Sequence, residues 1–157
     1  MSQPATQSSS TGSSASGGDA PRGPATVYPF MSYRDAPAAI DWLCRAFGFE
    51  KQFVVEGENG SIAHAQLRLG NGMIMLGSAS GQRETFGMGL PRDFGAVTGG
   101  VYLVVDDIEA HCARAKAAGA EFVRDLAPTD YGSHEYMVRD PEGHLWSVGT
   151  YQPFSES

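Results

Sequence analysis

Only two cysteines, Cys44 and Cys112, occur in the 157 residues. Both fall in stretches that read as helices, and no CxxC pair is present. That excludes a disulfide framework and a cysteine zinc site, and predicts two buried free thiols in a reducing compartment. Basic residues are also scarce, with 11 Lys and Arg against 18 Asp and Glu, a net charge of −7. This deficit argues against nucleic acid and anionic membranes as partners, because both reward Lys and Arg. It suits a neutral or cationic small ligand. No apolar run approaches the roughly 18 residues of a membrane span. The N-terminus lacks the apolar core of a secretory signal, so a cytoplasmic protein is expected. A nucleophile elbow, a phosphate loop, an HExxH pair and a zinc-ligand spacing are all missing, which removes the common hydrolase, nucleotide-binding and zinc-protease chemistries.

What is present is a turn-rich domain, with 20 glycines and 41% hydrophobic residues. Residues 1–23 are Ser/Gly/Pro-rich and hold almost nothing that could be buried. They are expected to be a disordered tail, because ordering them would cost entropy without return. A single domain is expected over 24–153. Its first module, about 26–79, reads as βαβββ. A strand at 26–33 precedes a helix at 35–49 with Asp35 as N-cap and Gly48 near its end. Ala36, Ala39, Ile40, Leu43 and Phe47 fall on one face. Strands at 51–57, 61–69 and 73–79 follow, joined by hairpins at Asn59-Gly60 and Asn71-Gly72.

The order then repeats over 99–151, after a connector at 80–98. A strand at 100–105, a helix at 107–120 capped by Asp107, and strands at 121–127, 133–139 and 144–151 are predicted. Landmarks recur at an offset of 71 or 72: Asp35 with Asp107, Gly48 with Gly119, Gly72 with Gly143. One such unit covers one sheet face with its helix and leaves the other open. Two units side by side can curve their open faces into a cup suited to a small molecule.

Three stretches, "YRDAPAAIDWLCRAFGFE", "VYLVVDDIEAHCARAKAAGAEFV" and "YGSHEYMVRDPEGHLWSVGTY", make the chain resemble the glyoxalase / bleomycin-resistance / extradiol-dioxygenase superfamily, the vicinal oxygen chelate fold. The resemblance implies an α+β architecture: two tandem βαβββ modules forming a curved mixed sheet with helices on the outside, usually as a homodimer. It does not fix an activity, because that superfamily holds lyases, isomerases, epimerases, dioxygenases and metal-free drug-binding proteins. Its enzymes draw metal ligands from the first and last strand of each module. Those places fall here on Tyr28, Leu76, Gly100 and Ser147. Leu and Gly offer no donor, and neutral Tyr and Ser hydroxyls are poor ligands for cations that prefer carboxylate and imidazole. The chain is therefore similar to the subgroup lacking metal ligands, and no divalent metal or other cofactor is expected.

Strand alternation assigns the cup-facing side chains. Tyr28, Phe30, His64, Gln66, Leu76, Tyr102, Glu135, Met137 and Ser147 are the expected ligand-binding residues, with Ile74, Val104 and Leu145 on the same face. His64 and Glu135 hold equivalent positions and are expected to converge. His111, His134 and His144 are given no role. Arg83, Phe86, Met88, Arg92 and Phe94 of the connector could form a lid over the cup. The expected function is metal-independent binding of a small organic molecule, sequestration of an antibiotic or toxic compound being the most concrete form. The alternative is a glyoxalase-like lyase, isomerase or dioxygenase that uses His64 and Glu135, with or without a displaced divalent metal.

Overall fold

The computed structural model describes residues 23–80 and 85–154. The expected tail lies outside them apart from Gly23, as does Arg83. The chain runs β1 (Phe30–Tyr33), α1 (Ala36–Phe47), β2 (Glu50–Glu56), β3 (Ile62–Leu69) and β4 (Gly72–Ser78). It continues through the one-turn helix α2 (Pro91–Phe94) to β5 (Gly100–Val104), α3 (Ile108–Ala117), β6 (Glu121–Pro128), β7 (His134–Arg139) and β8 (Leu145–Gly149). Two four-stranded mixed sheets result, ordered β1-β4-β3-β2 and β5-β8-β7-β6. The paired βαβββ architecture expected from the sequence is present, and each helix covers one face of its own sheet.

Local chemistry sets the boundaries. The Asp35 and Asp107 carboxylates accept from the backbone N–H three residues on, at 3.1 Å each, and cap α1 and α3. Gly48, in the left-handed region at φ 82°, ends α1. The last carbonyls of α1 are then taken by Arg114 of α3, which donates to Arg45 O at 2.6 Å and Cys44 O at 3.0 Å. Two expectations shift. β1 begins at Phe30, because Val27 is exposed and Tyr28 precedes the ladder. The β3–β4 hairpin turns on Gly70-Asn71 rather than Asn71-Gly72, since Leu69 pairs with Gly72 and Gly70 holds the positive φ.

That turn carries the main consequence for the site. The β7–β8 connection is one residue longer, so β3 matches β7 at an offset of 71 and β4 matches β8 at 72. Gln66 pairs with Met75, as Met137 pairs with Ser147. Met75, not Leu76, is therefore the counterpart of Ser147.

A single core serves both modules. Ile40, Leu43 and Phe47 of α1 and Ala65, Leu67, Ile74 and Leu76 of the first sheet join Tyr136, Val138, Trp146 and Val148 of the second. Phe47 stands 5.2 Å from the Trp146 ring, and Phe49, just before β2, stands 5.9 Å from it. Trp42 Nε1 donates to Ala118 O at 2.8 Å, binding α1 to the end of α3. Asp140, 1% exposed, accepts from Tyr33 Oη at 2.7 Å, Trp146 Nε1 at 3.0 Å and the Glu142 and His144 N–H groups. The helix-covered faces of both sheets thus turn toward each other, and the open faces look outward. Helices stay outside any cup the open faces build. Within one chain, however, the two open faces do not meet.

Candidate functional site

The open face of the first sheet carries the row Phe30–Met75–Gln66–Phe53, and beside it the pairs Ser32–Gly77 and His64–Val55. Phe30 is 66% exposed and Phe53 and Val55 are exposed, although all three are apolar. His64 packs against Phe53, with ring centroids 6.4 Å apart. A cavity of about 280 Å³ lies here between His64, Met75 and Phe30 and the overhanging Phe86 and Met88. Phe86 and Met88 belong to the connector, which therefore lines this cavity. Its other members do different work. Arg92 pairs with Glu121 at 3.0 Å and Asp93 with Arg34 at 2.9 Å, so α2 is tied to both modules. Phe94 fills the space over Gly89 and lines a larger cavity of about 670 Å³ between β1, the connector and the start of β5.

Leu76 is corrected. It pairs with Ala65, lies 3% exposed against α1, and belongs to the core with Ile74. The one-residue difference in turn length reverses the face of β4 relative to a count from Gly72. Met73 and Met75 take the open-face places, opposite Arg68 and Gln66.

The open face of the second sheet is polar and aromatic. Its rows are Tyr102–Ser147–Met137–Arg124 and Val104–Gly149–Glu135–Ala127. Glu135 is only 7% exposed. Its carboxylate accepts from Tyr131 Oη at 2.5 Å and from an Arg124 nitrogen at 3.0 Å. Tyr102 Oη donates to Tyr151 O at 2.8 Å, and the Tyr131 and Tyr151 rings meet edge to face at 5.8 Å. A Cβ on Gly149 would stand 2.6 Å from Tyr102 Oη and 2.7 Å from Glu135 Cγ, so glycine there lets both side chains close in. The hydrogen bond to Glu135 pushes the Tyr131 phenol above its ordinary range, while burial, then the Glu135 charge, does so for Tyr102. Arg124, Tyr131 and Tyr151 were missed from sequence. Tyr131 and Tyr151 lie outside strands, and Arg124 sits beside a register shift in β6 that defeats alternation.

His64 and Glu135 sit on different outward faces with the common core between them, and they are not brought together within one chain. His111 and His144 have structural partners. His111 Nε2–H donates to Phe47 O at 3.1 Å and its Nδ1 accepts from Tyr136 Oη at 2.6 Å. Burial pushes its pKa down. His144 Nε2 donates to Ser32 O at 2.9 Å, while His134 is exposed at the start of β7. Cys112 is buried but Cys44 only partly, and burial raises both thiols.

With the register corrected, the superfamily's four metal-ligand places are Tyr28, Met75, Gly100 and Ser147. This set does not fit a divalent cation. A thioether is soft, the hydroxyls are neutral, and at Gly100 a Cβ would stand 2.8 Å from Leu145 O, leaving no room for a ligating side chain. Among the described residues no group of three or more His, Cys, Asp or Glu is placed to hold a metal.

Two βαβββ modules, each with one sheet face under its helix and the other open, define the class. The model of the Glyoxalase/Bleomycin resistance protein/Dioxygenase superfamily matches residues 27–148, and the chain belongs to that superfamily. An uncharacterized protein of Mycobacterium bovis is 34% identical over 128 residues, 82% of this chain and 83% of the relative. Among solved structures, TioX from Micromonospora sp. ML1 is 32% identical, with a TM-score of 0.64 over 82% of this chain and 99% of that one. A family enzyme from Burkholderia phytofirmans, 19% identical with a TM-score of 0.58 over 78% and 94% of the two chains, shares the fold.

Proposed function

We propose that this protein is a metal-independent binder of a small organic molecule, and that two copies complete each binding cup. The observation that carries the reading is the outward orientation of both open faces. Phe30, Phe53 and Val55 stand exposed on one and a buried, hydrogen-bonded Glu135 on the other. Exposed apolar clusters of this kind mark interaction sites. A partner copy that sets its second sheet opposite the first sheet of this chain would cover those side chains. It would also enclose a cavity with one apolar wall and one polar, aromatic wall, the usual make-up of a ligand pocket. The donor set at Tyr28, Met75, Gly100 and Ser147 supports a role without a metal. Sequestration of a toxic organic compound needs no more than such a cup.

Light scattering on the purified chain tests the assembly, with a dimer as the expected result. A thermal-shift screen of organic compounds with and without EDTA tests the binding. Hits should raise the melting temperature equally in both conditions. A monomer that no compound stabilises, or stabilisation that needs stoichiometric Zn, Ni, Fe or Mn, would refute the reading.

A further inference from the structure

The second sheet's open face carries a more specific signal. Glu135 is a nearly buried carboxylate, yet one of its two partners is held loosely: the Arg124 side chain is 54% exposed and reaches it from solvent. A nearly buried carboxylate must stay paired, but a cation that takes the place of Arg124 keeps it paired, and the exposed Arg124 head group returns to water at little cost. Around the carboxylate stand Tyr131 and Tyr151, both exposed and set edge to face, with Tyr102 packed beside it over Gly149. A carboxylate held among tyrosine side chains, two of them with exposed rings, is an arrangement that holds an organic cation, because the ring quadrupoles and the anion attract the same charge. We propose that this cluster recognises an organic cation, a protonated or quaternary amine on an apolar ring, and that Arg124 occupies the cation's place until the ligand displaces it. The inference rests on the binder reading above and narrows it to one class of ligand. The apolar wall of Phe30, Phe53 and Met75, brought opposite by a second copy of the chain, takes the ligand's ring. The chain's net charge of −7 favours the approach of a cation.

The test uses three water-soluble probes on the full chain: benzyltrimethylammonium, neutral benzyl alcohol and anionic benzenesulfonate. Binding is followed through the backbone amide shifts of Ser147 and Gly149. The cation should bind about tenfold more tightly than either other probe. Glu135→Gln should erase that preference, and Tyr131→Ala should weaken cation binding by a similar factor. Arg124→Ala should strengthen cation binding several-fold, since it removes the internal competitor. A purely structural ion pair would not produce that gain. If Glu135→Gln fails to fold, Arg124→Ala and Tyr131→Ala carry the test. Equal binding of benzyl alcohol and the cation, or weaker cation binding by Arg124→Ala, overturns the inference and leaves the binder reading standing. A monomer that binds neither these probes nor any screened compound brings down the binder reading instead.

Discussion

Gly149 shows how one missing side chain shapes the second open face. Adding a methyl group there would drive it into Tyr102 Oη and Glu135 Cγ. Gly149→Ala is therefore expected to lower stability by about 1–3 kcal/mol, the usual cost of overpacking. It should also break the Tyr102–Tyr151 hydrogen bond, which urea denaturation and the Tyr102 environment would both report. His111 acts at the same scale. Burial holds its pKa below the ordinary histidine value, so the folded state favours the neutral ring and the unfolded state binds more protons. Its contribution is complete above the unfolded pKa of about 6.5 and is lost as pH falls below that value. The urea midpoint should drop on acidification through this range, and His111→Gln should flatten the drop. An unchanged slope in the variant would mean that other groups set it.

At the scale of elements, the β7–β8 turn does more than reverse the chain. Asp140 in this turn gathers Tyr33 from β1 and Trp146 from β8, and so fastens one module to the other. Burial and the Asp140 charge together hold the Tyr33 phenol well above its ordinary pKa. Asp140→Ala leaves two buried donors without an acceptor and should cost about 3 kcal/mol or more. Because the core is shared, loss should appear as one cooperative transition in calorimetry; two separated transitions would show that the modules fold independently. Most elements were legible in the sequence for local reasons. The Asp35 and Asp107 caps, Gly48 and the apolar spacing of α1 all signal within a few residues. The face of β4 was not. A count of four residues from Gly72, matched to the count from Gly143, presumes equal connections; the β7–β8 connection is one residue longer, so the count lands on Leu76, and pairing with β3 gives Met75 instead.

For the whole molecule, the decisive feature is the direction in which the two sheets turn their uncovered faces. With the helix-covered faces joined in one core, the cup we propose is completed by a second copy. Phe30→Glu combined with Phe53→Glu alters only exposed side chains, so the fold should survive while dimerisation and ligand stabilisation are lost together. Circular dichroism and light scattering would check this, and a fully dimeric double variant would count against the shared cup.

The sequence by itself determined the module order, the helix caps, the acidic charge and the unsuitability of Tyr28, Gly100 and Ser147 as metal ligands, because each depends on residue type or on neighbours close along the chain. Only the tertiary structure decided that Leu76 is core, that Arg124, Tyr131 and Tyr151 gather at Glu135, and that His64 lies on a different face from it. Those outcomes follow from strand register and from how two modules share one interior, and both are set by contacts far apart in the sequence.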